Sequence, residues 1–284
     1  MIMLNIKFMS DNQWWCDNNR PAWKEMGLDC SAAAREVGFL RLFAEVDADI
    51  IGLQECSALM ADLHMQGFSE MKMGYALLWG RDTPILYKTE KFELIDSSYL
   101  VYPVSVPGFE GEFNNQNTKS YCIAVLRSKE TGDTVIFGTT HLWYMSSNPN
   151  SSMYREGSDE ARTYQLGLFM DKAEEFIKKY DCPAVIVGDM NSRVTSVAIK
   201  SAFARGWVNA RDVATDFADK GHGYHKCDAS GYGPYIPQPA ENAIDQVLVK
   251  NAKVGFVRSY KYFDEEYYMT LSDHLPILID VKFD

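Results

Sequence analysis

The stretch Val185-Ile186-Val187-Gly188-Asp189-Met190-Asn191-Ser192-Arg193 sets a carboxylate and a carboxamide two positions apart, just past three branched apolar residues. The apolar run predicts a buried strand, and the glycine at its end lets the backbone turn and approach a ligand closely. In that setting Asp189 can bind a hard cation or orient water, and Asn191 can offer its amide to a phosphate oxygen. A tight Asx turn after a core strand accounts for the same residues, so this stretch alone does not decide its role.

Asn5, Glu55, His141, Asp245, Asp273 and His274 share the same placement, each in or just beyond an apolar run. Asp49-Ile50-Ile51-Gly52-Leu53-Gln54 leads to Glu55, Val135-Ile136-Phe137-Gly138-Thr139-Thr140 leads to His141, and Ala243-Ile244-Asp245-Gln246-Val247 carries its aspartate inside a strand. The hard oxygens of Glu55 suit Mg²⁺, and His141 leaves its strand where an imidazole can donate to a phosphoryl oxygen. Singly, each has a bland reading as a salt bridge or a satisfied core residue. Their recurrence at strand ends points to one cleft.

Taken together these runs resemble the endonuclease/exonuclease/phosphatase superfamily, which includes DNase I-like nucleases, neutral sphingomyelinases and inositol polyphosphate 5-phosphatases. Met3-Leu4-Asn5-Ile6 resembles its first motif, Leu53-Gln54-Glu55 its second and Thr140-His141-Leu142 its third. Gly188-Asp189-Met190-Asn191, Ala243-Ile244-Asp245 and Ser272-Asp273-His274 follow in the family's order, so the resemblance spans nearly the whole chain. It implies an α/β fold, a four-layer sandwich of two facing, mostly antiparallel sheets flanked by helices, in one domain over residues 1–284.

The resemblance also implies roles. Glu55 would hold Mg²⁺, with Mn²⁺ a substitute, and Asn5 and Asp273 would stand near the ion. Asp245 would orient His274, which would take a proton from water aligned by Asp189; Asn191 would hold a phosphate oxygen, and His141 would stabilise developing charge. Arg162 and His225 resemble substrate-contacting positions more weakly. Two departures stand out: the first motif usually has Ser or Thr two residues before its asparagine, where Asn5 has Met3, and the fifth usually has an aromatic after its aspartate, where this chain has Gln246.

The elements that must position these residues follow from periodicity. Met1 to Phe8 reads as a first strand, residues 9–31 as a long loop carrying Trp14, Trp15 and Trp23, and Ser31 to Val46 as a helix with Val37, Leu40, Phe43 and Ala44 on one face. A helix over 58–70 precedes short strands at Tyr75 to Trp79, Ile85 to Tyr87 and Phe92 to Ile95. Arg81 and Lys88 are candidate phosphate contacts, and residues 99–118 read as a loop with no legible chemistry. Strands at Ser120 to Arg127 and Thr134 to Thr140 form a hairpin in which Tyr121 is a candidate for the cleft. Helices at Asp159 to Lys179 and Ser196 to Arg205 and strands at Val254 to Tyr260 and Ile277 to Val281 complete the pattern.

The 284 residues carry a formal charge of −11, which disfavours a uniformly basic surface for long nucleic acid while leaving room for a local positive patch. The expected partner is therefore a small or specialised phosphoester; a nuclease with the same site and a silent binding module on this fold are the alternatives. Six cysteines show no CxxC spacing, which predicts separate thiols, with Cys16 and Cys30 the pair most worth testing for a disulfide. No run is apolar enough to span a membrane, so the chain is expected to be soluble, secreted or periplasmic if a signal peptide was removed and otherwise cytoplasmic. Oligomeric state is not legible.

Overall fold

The computed structural model describes residues 4–218, 222–228 and 230–283; within these, the side chains of 217, 218, 222–228, 234, 235 and 240 are not described. The described residues form two large mixed sheets packed face to face. In the seven-stranded sheet, Asn5–Asn12 lies between the parallel strand Ile50–Gln54 and the antiparallel strand Ile277–Lys282. In the six-stranded sheet, Ala184–Asp189 lies between the parallel strand Thr134–His141 and the antiparallel strand Asp245–Lys250. Most remaining ladders are antiparallel, and a separate hairpin pairs His222–Asp228 with Gly231–Gln238. Phe8 of one sheet stacks on Phe137 of the other at 5.1 Å, and Val185, Val187 and Ile51 fill the shared interior.

Helices Ala32–Val46 and Ala58–Met71 cover the outer face of the first sheet, and Ser158–Tyr180 and Val197–Ala204 cover the second. Ser31, Ser57 and Ser196 cap three of these helices by accepting backbone N–H bonds, which explains why each begins there. The face assigned to the first of them needs correction: Ala32, Arg35, Phe39, Leu42, Phe43 and Val46 are buried, whereas Val37 is 74% exposed. The strand beginning at Phe92 runs on to Val101, well past Ile95.

Register fixes the functional geometry. Asp189 pairs with His141 on one side and with Asp245 on the other, so three separate strands bring these residues abreast. Asn12 pairs with Gln54 in the facing sheet, at the same end of the sandwich, and Glu55 follows directly. Gly188, at φ +142°, lies where a Cβ would come 2.0 Å from the carbonyl oxygen of Thr140, so no larger residue lets these two strands pair so closely just before Asp189.

Cys16, Cys30, Cys56, Cys122 and Cys182 are free thiols, in keeping with the separate thiols expected, and the sulfurs of Cys16 and Cys30 lie 3.6 Å apart beside the buried Trp23. No helix among the described residues is long and apolar enough to cross a membrane.

Candidate active site

The cleft opens where the two sheets present the ends of their central strands. Glu55 leaves its strand at φ +52°, a costly conformation for a non-glycine residue, and the turn carries its carboxylate into the cleft. There the backbone N–H of Trp15 donates to Oε2 at 2.8 Å, and Oε1 lies 3.7 Å from His141 Nε2. Asn191, at φ +46°, turns in the same way: its N–H donates to Asp189 Oδ1 at 2.8 Å, and its side-chain amide donates to the Leu142 carbonyl at 3.1 Å.

Asp189 is the centre of the site. Its Oδ2 accepts from Asn12 Nδ2 at 3.1 Å, lies 3.4 Å from His141 Nε2 and 3.7 Å from His274 Nε2. His274 Nδ1 donates to Asp245 Oδ2 at 2.8 Å, and Asp273 Oδ1 lies 3.9 Å from His274 Nε2. Burial, together with Asp245, pushes the Asp189 carboxyl up to about 7 against the pull of His274 and Lys119. Asp273 is pushed up to about 6 by burial and by Glu55 and Asp245. His274 goes well above the usual imidazole range: burial opposes its charge, but Asp245, Asp273 and Asp189 overcome that cost. His141 goes the other way, held neutral by burial and by the nearby Lys119 and His274.

Two residues of the cleft escaped the sequence reading. The first is Asn12. Asn5 stands exposed at the opposite end of the first strand, paired with Lys282, and takes no part in the cleft. The strand continues through Ser10, Asp11 and Asn12, which are polar yet almost wholly buried. Tyr268 donates to Asp11, Ser272 Oγ to the Asn12 carbonyl, and Gln13 Nε2 to Asp11 at 3.2 Å, so a run that looks like a loop is a satisfied strand end. Ser10 stands two residues before Asn12, where the pattern wants Ser or Thr, and the mismatch at Met3 was the available signal. The second is Lys119, at the head of the strand opposite His141, whose buried ammonium donates to His141 Nε2 at 2.6 Å. Burial pulls its pKa down, while Glu55, Asp189 and Asp82 favour its charge.

Other candidates sort clearly. Arg81 lines the cavity next to Glu55, but Lys88 is buried at the far end of its strand and bound to Asp47 at 2.6 Å. Tyr121 packs against Phe169 at 5.1 Å, away from the cleft. Arg162 donates to Asp159 and to the Met145 carbonyl, each at 2.6 Å, and so holds the turn after Trp143 while lining a second cavity of about 470 Å³ beside Asn191. The side chain of His225 lies outside the described residues. Gln246 fills the space after Asp245 with hydrogen bonds to the Ser192 and Ala243 carbonyls at 3.0 and 2.7 Å, the polar counterpart of an aromatic packed there.

The donor set fits a hard divalent cation. Ligand atoms of Glu55, His141 and Asp189 lie within 4.8 Å of one another, Asp189, Asp245 and His274 form a second such group, and Asp273 adds a further carboxylate near Glu55. Carboxylate oxygens with an imidazole beside them are ligands that suit a hard divalent cation.

Two sheets packed face to face thus bring acid, amide and imidazole groups together at their strand ends. The chain belongs to the Endonuclease/Exonuclease/phosphatase family, whose model matches residues 28–274. An endonuclease/exonuclease/phosphatase from Bacteroides vulgatus superposes with a TM-score of 0.72 at 19% identity, covering 99% of this chain and 100% of that one. The mannosyl-6-phosphatase Bt3783 of Bacteroides thetaiotaomicron superposes at 0.67 with 17% identity over 98% and 100% of the two chains. TDP2 of D. rerio, complexed with single-strand DNA product, superposes at 0.63 with 16% identity over 97% and 98%. These likenesses show the shared fold. No curated protein matches the chain in sequence.

Proposed function

We propose that the chain is a divalent-metal-dependent hydrolase of compact phosphoesters. The observation that carries this reading is the line His141, Asp189, His274, Asp245, with Glu55 beside it: proton-handling groups and cation ligands within a few ångströms of one another. Glu55 would hold the metal, with Asn12 and Asp273 as neighbouring oxygen donors. When bound, such an ion neutralises phosphate charge and favours attack at phosphorus. Asp189, fixed by Asn12 and the Asn191 N–H, aligns the attacking water and receives its proton. His274, kept charged by Asp245, donates to a phosphoryl oxygen as negative charge grows. This reverses the proton direction expected from sequence, because an imidazolium has no lone pair with which to act as a base. The second N–H of the Asn191 amide holds another phosphoryl oxygen, and Lys119 with His141 supports the departing oxygen.

Size and charge support a compact substrate. The cavity beside Glu55 has a volume of about 650 Å³, and the chain as a whole is strongly acidic. The mannosyl-6-phosphatase among the structural neighbours adds support by analogy, and TDP2 favours a second reading in which the same site cleaves short single strands stacked on the exposed rings of Trp15 and Tyr144. The test is a panel of sugar phosphates, inositol phosphates, headgroup diesters and nucleic acids, with chelator and with Mg²⁺. Turnover of compact esters that stops with chelator and returns with Mg²⁺ or Mn²⁺, and that Glu55→Gln nearly abolishes, is expected. Full activity without metal, or efficient duplex cleavage that weakens steeply with salt, would overturn the proposal.

A further inference from the structure

Building on the phosphoester-hydrolase reading, we propose that the cavity beside Glu55 is a subsite for the alcohol part of the substrate and takes a polyhydroxylated ring of hexose size. Its walls include Trp14, Trp15 and Tyr144, and its polar rim includes Asp82, Gln116 and Thr118. Trp15 is 50% exposed, and Tyr144, 40% exposed, is held in the wall by Trp143 at 4.9 Å and by the Lys119 ammonium over its ring at 5.3 Å. Indole and phenol faces pack well against the C–H faces of a saturated ring, while the hydroxyls around that ring need hydrogen-bond partners at its edge.

Asp82 makes the choice of ligand specific. Asp82 lines this cavity yet is only 7% exposed, and its Oδ2, all but sealed from solvent, has no hydrogen-bond partner among the described residues. A buried carboxylate oxygen without a donor is costly. Arg81 and Lys119 favour its charge against burial, Glu55 and Asp17, yet neither donates a hydrogen bond to Oδ2. A hydroxyl can donate that bond. The turn that carries Asp82 is fixed in place: the Cys56 N–H donates to the Asp82 carbonyl at 3.2 Å, one residue from Glu55, and Arg81 Nε donates to the Asn117 carbonyl at 3.3 Å. The acceptor and the site of phosphate hydrolysis are therefore held in register, as a ring carrying its phosphate on a neighbouring carbon requires. A nucleobase would stack on the same rings but offers its N–H donors along one flat edge only, whereas a hexose carries hydroxyls all round its rim.

The experiment measures kcat/KM of the full chain with Mg²⁺ on glucose 6-phosphate, mannose 6-phosphate, AMP and acyclic glycerol 3-phosphate, for wild type, Asp82→Asn and Trp15→Ala. In parallel, quenching of intrinsic tryptophan fluorescence by glucose 6-phosphate is titrated in EDTA, and melting temperatures check folding. Hexose phosphates are expected to exceed glycerol 3-phosphate by about tenfold or more, the scale of one hydrogen bond to a charged group. Asp82→Asn should erase most of that ratio, chiefly through KM, and should weaken the quenching by a similar factor; Trp15→Ala should move both in the same direction. A hexose preference unchanged in folded Asp82→Asn, or a preference for AMP indifferent to that substitution, overturns the subsite. If no phosphoester is hydrolysed yet glucose 6-phosphate still quenches in an Asp82-dependent way, the subsite stands and the hydrolase reading falls.

Discussion

Replacing Asn12 and Asn5 in turn tests the register on which the whole site depends. Asn12 Nδ2 donates to the buried Asp189 carboxylate at 3.1 Å, its Oδ1 accepts from the Trp14 N–H at 3.1 Å, and its carbonyl accepts from Ser272. Asn12→Ala removes one bond to a charged group and one neutral bond, worth roughly 2–4 kcal/mol together. At about 2 °C per kcal/mol for a chain of this length, the melting temperature should fall by about 4–8 °C. Loss of a donor beside the reacting centre typically costs about 10²–10³ in kcat. Asn12→Asp keeps the acceptor for Trp14 but sets a second carboxylate against Asp189, so it should be no more active than the alanine variant. Asn5 lies seven residues back along the same strand, about 23 Å away at the rise of an extended chain, and is exposed. Asn5→Ala should therefore keep full activity and shift stability by less than about 0.5 kcal/mol. Steady-state hydrolysis of 4-nitrophenyl phosphate and bis(4-nitrophenyl) phosphate at saturating Mg²⁺, with melting curves for each variant, decides it. Near-native kcat in folded Asn12→Ala, or a comparable loss in Asn5→Ala, would refute the geometry.

His274→Ala should lower single-turnover hydrolysis by about 10²–10⁴ while Mg²⁺ binding, followed by calorimetry, stays close to wild type. Because the folded pKa of His274 lies well above its ordinary value, its charged form persists past neutrality and is lost as pH rises through that folded value; kcat should fall on the alkaline side, and Asp245→Asn should move that limb to lower pH. An acidic limb that persists in His274→Ala belongs to Asp189, whose carboxyl stands at about 7; one that vanishes in that variant would restore His274 to the role of base. Away from the site, Glu174 accepts from Arg205 at 2.6 Å, Lys250 at 2.8 Å and Trp207 Nε1 at 2.9 Å; though burial opposes its charge, these bonds bring its carboxyl down to about 2. A depressed carboxyl pKa stabilises the fold fully above the ordinary value of 4.5 and progressively less as pH falls towards 2. Glu174→Gln should therefore cost roughly 2 kcal/mol in urea unfolding at pH 7, after allowance for its partial exposure, and the deficit should shrink below pH 4.5.

The fold was legible because the motifs at Glu55, His141 and Asp189 sit where a strong apolar run stops. Val185 to Val187 and Val135 to Phe137 are continuous branched or aromatic runs, as strands buried on both faces must be, and Asp189 and His141 close the same strands. The helices were bounded by their serine caps, yet the buried face of Ala32–Val46 was misread. Arg35 is buried there, its guanidinium donating to the Gln13, Cys16, Cys30 and Leu271 carbonyls, so a charged residue occupies a core position that a hydrophobic pattern assigns to solvent.

What escaped the sequence has one physical cause: local pattern cannot see partners brought from afar. Ser10, Asp11 and Asn12 look like the start of a polar loop because nothing nearby shows that Tyr268, Ser272 and Asp189 will satisfy them in the interior. Lys119 ends a stretch rich in asparagine, proline and glycine, and its importance lies wholly in a strand pairing that sets Ser120 opposite His141. A buried lysine next to a neutral histidine is an unfavourable arrangement taken alone, since burial works against the ammonium and Lys119 in turn works against protonation of His141. It is tolerated because Glu55, Asp189 and Asp82 surround the ammonium with negative charge. Glu55 and Asp189 thus hold a fixed cation at Lys119, directly beside the group of ligand atoms that they form with His141.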